Sequence, residues 1–210
     1  MIGENINISS KKVKNDSLFK LNFMIKETIL EISRNFKDLS ENCIEDIEKA
    51  SQLMIHCLDS GGKIIFCGNG GSAADSQHLA AELTGRYLKN RIPLAAISLT
   101  TDTSAITAIG NDFSFEEIFS RQLDGLGCSK DILYAISTSG NSRNIIRAIE
   151  TAKEKNIKTI GITGSDGGDM NDKCDMLIKV PASRTDRIQE MHIAVGQILC
   201  EIIEKNFFKN

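Results

Sequence analysis

The sequence has no long hydrophobic run. None of its apolar stretches approaches the roughly 18 residues that a bilayer-crossing helix needs. It also has no excess of charge of one sign. Lys and Arg number 25 against 28 Asp and Glu, a formal net charge of −3 with pI ≈ 5.7. That balance argues against a dedicated binder of nucleic-acid backbone. No CxxC occurs among the cysteines Cys43, Cys57, Cys67, Cys128, Cys174 and Cys200. Cys43, Cys57, Cys67 and Cys200 fall in apolar patterns, where cysteine is a small buried hydrophobe, so free thiols in a reducing cytoplasm are expected. The N-terminus, MIGENINISSKKVKNDS, has lysines but neither an apolar stretch nor a small-residue cleavage site, and no signal peptide is expected. There is no internal repeat or interdomain linker. What is present is 210 residues with 41% hydrophobic and 25% charged content. That composition excludes a disordered or fibrous chain and suffices for one domain with its own core.

Residues 1–16 are polar and are expected to form a flexible tail, with a single domain over 17–210. Leu18, Leu21, Ile25, Ile29, Ile32 and Phe36 have helical spacing. Ser40 is expected to precede a second helix with Ile44, Ile47, Leu53, Met54 and Leu58 on its buried face, stopped by Gly61-Gly62. After this the pattern changes. Short apolar runs at 63–67, 94–98, 132–136, 158–162 and 176–180 read as strands. Helices are expected over 73–88, 103–109, 115–126 and 143–155, and a long one over 186–208. Strands alternating with helices predict an α/β fold, a three-layer doubly wound parallel sheet with extra N-terminal helices. Ligands of such sheets bind at the carboxyl ends of the strands.

Two loops of small residues occupy such ends. Gly68-Asn69-Gly70-Gly71-Ser72 follows a strand and opens a helix, where glycines let backbone N–H groups approach an anion. It has neither the GxGxxG pattern nor the Walker lysine, so dinucleotide and P-loop sites are not supported. Ser137-Thr138-Ser139-Gly140-Asn141-Ser142 has the same placement, with four hydroxyls and no carboxylate, which suits a phosphate monoester. Each loop taken alone reads equally as a tight turn or a helix cap. Two in one sheet without a nucleotide motif favour a sugar phosphate.

The helix after the first loop carries Asp75, then His78 and Glu82 at i, i+4 on one face, a spacing that serves a divalent metal or a plain ion pair. Arg86 lies four residues further on, placed to balance Glu82 or hold a phosphate. On the C-terminal helix, Gln189 and Gln197 are separated by about 80° and can face one site. His192 there reads more readily as a structural histidine than as a catalytic one.

The segments CGNGGSAADSQHLAAELTGRY (67–87), TAIGNDFSFEEIFSRQ (107–122), ISTSGNSRNIIRAI (136–149) and RIQEMH (187–192) resemble the phosphoheptose isomerase family, whose members are sugar isomerase (SIS) domains. The resemblance covers about residues 20–206. It implies a cytoplasmic homotetramer with shared active sites that converts sedoheptulose 7-phosphate to D-glycero-D-manno-heptose 7-phosphate for lipopolysaccharide or surface polysaccharide. It implies substrate contacts from Asn69, Gly70, Gly71, Glu82, Asn111, Asp112 and Gln189, and phosphate contacts from Ser137, Thr138, Ser139 and Ser142. It implies Zn2+ on His78, Glu82, Gln189 and the position of Gln197, with Glu82 and position 197 as the acid/base pair. Asp75, Arg86 and Asp186 match supporting positions. No nucleic-acid or membrane partner is implied.

At position 197 the family pattern has histidine, and this chain has glutamine. A neutral amide cannot exchange a proton at neutral pH, although its oxygen can coordinate. His192 is about 140° away on the same helix and does not replace it. Two other readings share the fold: a non-catalytic SIS protein resembling the DnaA initiator-associating protein, and a sugar-phosphate-binding regulator. Relatives of the first kind lack the glutamate that this chain keeps as Glu82, and no DNA-binding appendage is visible.

Overall fold

The computed structural model describes the backbone of residues 5–208 and the side chains of residues 20–208. The chain divides into two compact units, Met1–Asp38 and Leu39–Asn210. The first consists of most of helix α1 (Asn5–Asn42). No glycine or proline occurs between Gly3 and Gly61, so nothing in the backbone chemistry stops this helix early. The stretch expected as a tail is therefore helical from Asn5 onward, while residues 1–4 lie outside the described residues. Within this unit Leu21, Phe23, Met24, Ile25, Ile29 and Phe36 are exposed.

The second unit begins at the end of α1. The break falls at Cys43, not at Ser40, and α2 runs Ile44–Asp59. Its buried stripe is Ile47, Ala50, Met54 and Cys57. Ile44, expected on that face, is 62% exposed because it points roughly 80° away from the stripe. The remaining elements are β1 (Ile64–Gly68), α3 (Gly71–Thr84), β2 (Ala96–Ser98), α4 (Thr103–Asp112), α5 (Ser120–Leu126), β3 (Ile132–Ile136), α6 (Arg143–Glu154), β4 (Lys158–Thr163), β5 (Met176–Lys179) and α7 (Thr185–Phe207). The single helix expected over 115–126 is split into a short 3₁₀ turn, Phe115–Glu117, and α5.

The five strands are all parallel, in the order β2-β1-β3-β4-β5. Alternation along the strands sends side chains to two cores. Ile64, Phe66, Tyr134, Ile136, Ile160 and Ile162 pack with residues of α2, α3 and α7. Ile65, Cys67, Leu133 and Ala135 pack with Leu123 of α5 and Ile145, Ala148 and Ile149 of α6. This is the three-layer doubly wound sheet that the sequence predicts. Among the described residues, no helix is long and apolar enough to cross a membrane.

The amino-terminal ends of the strands are fastened by carboxylates. Asp131 accepts from Lys63 N at 2.9 Å, Lys63 Nζ at 2.6 Å and Cys128 N at 2.9 Å. Asp175 accepts from Thr159 N at 2.9 Å, Thr159 Oγ1 at 2.8 Å and Lys158 Nζ at 2.8 Å. Burial alone would raise the Asp131 carboxyl. The Lys63 ammonium and the two backbone N–H groups outweigh that and hold it below the usual range. Its contribution to stability is therefore complete above the unfolded-state pKa near 4 and is lost as pH falls through the lower folded value. Asp131→Ala should destabilise the fold by about 2–4 kcal/mol, because it leaves two N–H groups and a lysine without their acceptor. Urea unfolding at pH 7 measures this loss, and the difference from the parent should shrink progressively as pH falls below about 4.

Candidate active site

The two small-residue loops lie side by side because β1 and β3 are direct neighbours, paired from Ile64↔Ile132 to Gly68↔Ile136. The sheet order reverses here, the place where doubly wound sheets bind ligands. Gly70 has φ +56°, a left-handed turn that admits the chain to α3. Gly71 opens α3 with the amide of Gln189 lying where a Cβ would stand, so a side chain there would displace that amide. The Asn69 and Asn144 side chains exchange two hydrogen bonds, both 2.8 Å, and so tie the first loop to the N-terminus of α6.

The second loop is built for the same end. Ser137 is buried and its Oγ donates to Ser142 Oγ at 3.2 Å. Asn141 N donates to Ser139 Oγ at 3.2 Å. Gly140 has φ +68° and lies against the Gly167 carbonyl. Ser142 is the N-cap of α6, but its side chain makes no capping bond, so the hydroxyl remains available beside the free N–H groups of the first turn. Thr138, Ser139 and Asn141 line a cleft of ≈ 240 Å³ with Ser165 and Ser183. The carboxylate of Asp166 also lines this cleft, while Ser137 and Ser142 lie outside its lining, so the hydroxyls nearest the N-terminus of α6, not the cleft as a whole, are the ones suited to an anion.

His78, Glu82 and Gln197 meet between α3 and α7. His78 Nε2 lies 2.9 Å from Glu82 Oε1 and 2.6 Å from Gln197 Nε2, and Gln197 Nε2 lies 3.5 Å from Glu82 Oε1. The imidazole nitrogen carries either a proton or a lone pair, so it cannot accept from the amide and donate to the carboxylate together. Turning the amide by 180° removes the conflict, and His78 Nε2–H then faces two oxygens. Without that proton, three lone pairs converge on one point. A tetrahedral ion with ligands at 2.0–2.1 Å has ligand–ligand edges of about 3.3 Å, so the 2.6 and 2.9 Å edges found here would have to open to admit one. Imidazole and carboxylate suit zinc; the amide oxygen is a weaker third donor. Among the described residues, no group of three His, Cys, Asp or Glu is arranged to hold a metal, because glutamine stands at the third corner.

Other residues singled out from the sequence are distributed as follows. Gln189 is about 12 Å from Gln197 along α7, and its amide lies over Gly71. Asp75 is buried, and burial pushes its carboxyl up, opposed by a hydrogen bond with Gln189 and by nearby His78. Asn111 donates to Asp112 Oδ1 at 2.8 Å on the exposed end of α4, and among the described residues no hydrogen bond joins them to the His78 cluster. Asp186 is clasped by Arg184 and by the N–H of Arg187, with its carboxyl held down to about 2, chiefly by Arg184. Arg86 does not continue the face of His78 and Glu82: α3 ends at Thr84, before Gly85, and Arg86 is exposed beyond it. His192 is buried and held neutral, its pKa lowered to about 4 by burial. Asn144, Arg91 and Glu204 were not legible in the sequence, because their partners are distant along the chain.

The SIS domain family model matches residues 29–164. The chain is 55% identical over 163 residues to "Phosphoheptose isomerase" of Rhodospirillum rubrum, covering 78% of this chain and 87% of that protein. It is 50% identical to the protein of the same name from Akkermansia muciniphila, covering 88% of this chain and 97% of the relative. The solved structure of phosphoheptose isomerase GmhA from Neisseria gonorrhoeae superimposes with a TM-score of 0.84 at 45% identity, covering 88% of this chain and 99% of the other. The chain belongs to the phosphoheptose isomerase family of SIS domains.

The amide pair gives a direct test of how the loops are coupled. Asn144→Ala leaves the Asn69 side chain without its partner and should cost about 1–2 kcal/mol of stability. It should also raise KM for a sugar phosphate several-fold while the fold is kept, as read by urea unfolding and steady-state kinetics on the same preparation.

Proposed function

We propose that this protein isomerises sedoheptulose 7-phosphate to D-glycero-D-manno-heptose 7-phosphate in the cytoplasm, supplying heptose for lipopolysaccharide or another surface polysaccharide. The observation that carries this reading is the meeting of His78 and Glu82, on the helix that the Asn69–Gly71 loop opens, with Gln197 of α7. The names of the relatives support it. They do not favour the non-catalytic or regulatory alternatives.

The phosphate is held by Ser137, Thr138, Ser139 and Ser142 at the N-terminus of α6. The sugar contacts Asn69, Gly70, Gly71, Asn111, Asp112 and Gln189. Glu82 takes a proton from C1 of the ketose. The C–H electron pair forms the C1=C2 bond, and the carbonyl pair moves to O2, which is protonated to give the cis-enediol. Loss of the O1 proton and return of a proton to C2 yield the aldose, so atoms and charge balance. Gln197 cannot carry a proton, so water or a group of a neighbouring subunit completes the pair. His78, Glu82 and Gln197 would hold Zn2+; Gln189, expected as a further ligand, has its amide over Gly71 about 12 Å along α7 and does not reach them within one chain. When bound, the ion polarises the substrate oxygens as a Lewis acid.

The active assembly is a homotetramer with shared sites. The exposed apolar side chains of α1 support burial against other copies. So does the spread of the catalytic groups: Glu82 lies about 16 Å along α3 from Gly71, a long reach for one heptose phosphate on one chain. Light scattering behind gel filtration should give four times 23.1 kDa at micromolar concentration; a monomer would rule this assembly out.

Purified parent, Glu82→Gln and Gln197→His should be compared with sedoheptulose 7-phosphate in one assay, with and without zinc. The parent should turn over slowly, because one general acid–base group is worth about 10²–10⁴-fold. Glu82→Gln should abolish the reaction. Gln197→His should raise kcat and tighten zinc, imidazole being the better ligand. A parent with no aldose product under any condition contradicts the reading. A fully active parent that slows in Gln197→His would show that the glutamine is not a loss.

A further inference from the structure

Glu82 sits in the last turn of α3, two residues from its end, where a helix leaves its last carbonyls without intrahelical partners. Here those carbonyls have a dedicated donor. Arg91 Nη2 donates to the carbonyl of Glu82 itself at 2.7 Å, and Nη1 donates to the Leu83 carbonyl at 2.8 Å. Nη1 also reaches the Ile92 carbonyl at 3.0 Å, so the guanidinium spans the helix end and its own loop. A cation at a helix C-terminus is favourable in its own right.

Arg91 is in turn fixed by α7. Its Nε donates to Glu204 Oε1 at 2.8 Å, and the two side chains are 1% and 3% exposed. Glu204 also accepts from the backbone N–H groups of Tyr87, Leu88 and Lys89 at 3.1, 2.9 and 2.9 Å. One carboxylate thus gathers the whole turn that follows α3. Burial would raise the Glu204 carboxyl, but these donors hold it below the ordinary range. The Arg91 guanidinium carbon lies 5.4 Å from the Phe208 ring centroid, which closes the site from the other side. Glu204 is seven residues after Gln197, about two turns along the same face of α7. The two helices that bring Gln197 to His78 and Glu82 are therefore joined a second time, through a buried ion pair that grips the backbone of Glu82.

We propose that Arg91 and Glu204 are positioning residues for Glu82: the pair sets the end of α3 against α7, and so the place of the Glu82 carboxylate relative to Gln197 and substrate. This rests on the isomerase reading above. A displacement of about 1 Å at a reacting group can cost on the order of 10²-fold. Neither side chain touches the carboxylate, so substrate binding should be largely spared.

The test uses Glu204→Gln and Arg91→Lys in the full chain. Arg91→Lys keeps a cation for Glu204 but loses the fork that spans both carbonyls. Both should fold, by circular dichroism, and lower kcat by about 10–100-fold with KM within threefold. In a Glu82→Asp background, Glu204→Gln should cost less than threefold further, since the shortened carboxylate is already out of place. Losses that simply multiply in that background mark general loosening and overturn the proposal, as does kcat within threefold of the parent in both variants. If neither variant folds, the pair is a stability element and the positioning role is wrong. The His78 ring resonances, assigned with His78→Gln, read the same displacement without turnover. They should shift in both variants, and unchanged resonances overturn the proposal even if the parent itself proves inactive, an outcome that counts separately against the isomerase.

Discussion

The pairing of β1 with β3 is the constraint from which the site follows. These strands are distant in sequence, yet they end level with one another at Gly68 and Ile136. Because the strands are parallel, both chains leave the sheet on the same side, and each turns at once into a helix. Two helix N-termini and two glycine-bearing turns therefore open onto one space. The Asn69–Asn144 exchange then fixes the distance between the loops. A slip of this register would put Ser137 and Gly70 at different heights and separate the anion-binding groups, whatever else remained intact.

The strands were legible because a strand buried on both faces must be apolar throughout, and runs such as Lys63–Cys67 and Ile132–Ile136 have few other interpretations. Helix ends were less so. The first helix outran its expected start and stop because local sequence offered no breaker. The end of α3 was placed four residues late, since its true terminus is made by Arg91 from outside the helix and by Glu204 from the far end of the chain. Pairings of that range carry no periodic signal.

In the site, the spacing of His78 and Glu82 was informative because four residues return to the same helical face. The arrival of Gln197 from α7 followed from family likeness, and the structure brings all three side chains together. Gln189 is the instructive exception. Its helical phase permits it to face the same region, but its amide covers Gly71 two turns away. Phase specifies direction around an axis and says nothing of height along it. Arg86 illustrates the converse, a residue in phase with Glu82 on a helix that stops before reaching it.

The carboxylate fastenings at Asp131 and Asp175 lie at the amino-terminal edge of the sheet, while the two small-residue loops lie at the carboxyl edge. Acid therefore attacks the fold at one rim and any chemistry at the other. The strands of the open sheet separate the two rims. A chain organised this way can exchange a proton-carrying imidazole for an amide at position 197 and still arrive at the same architecture.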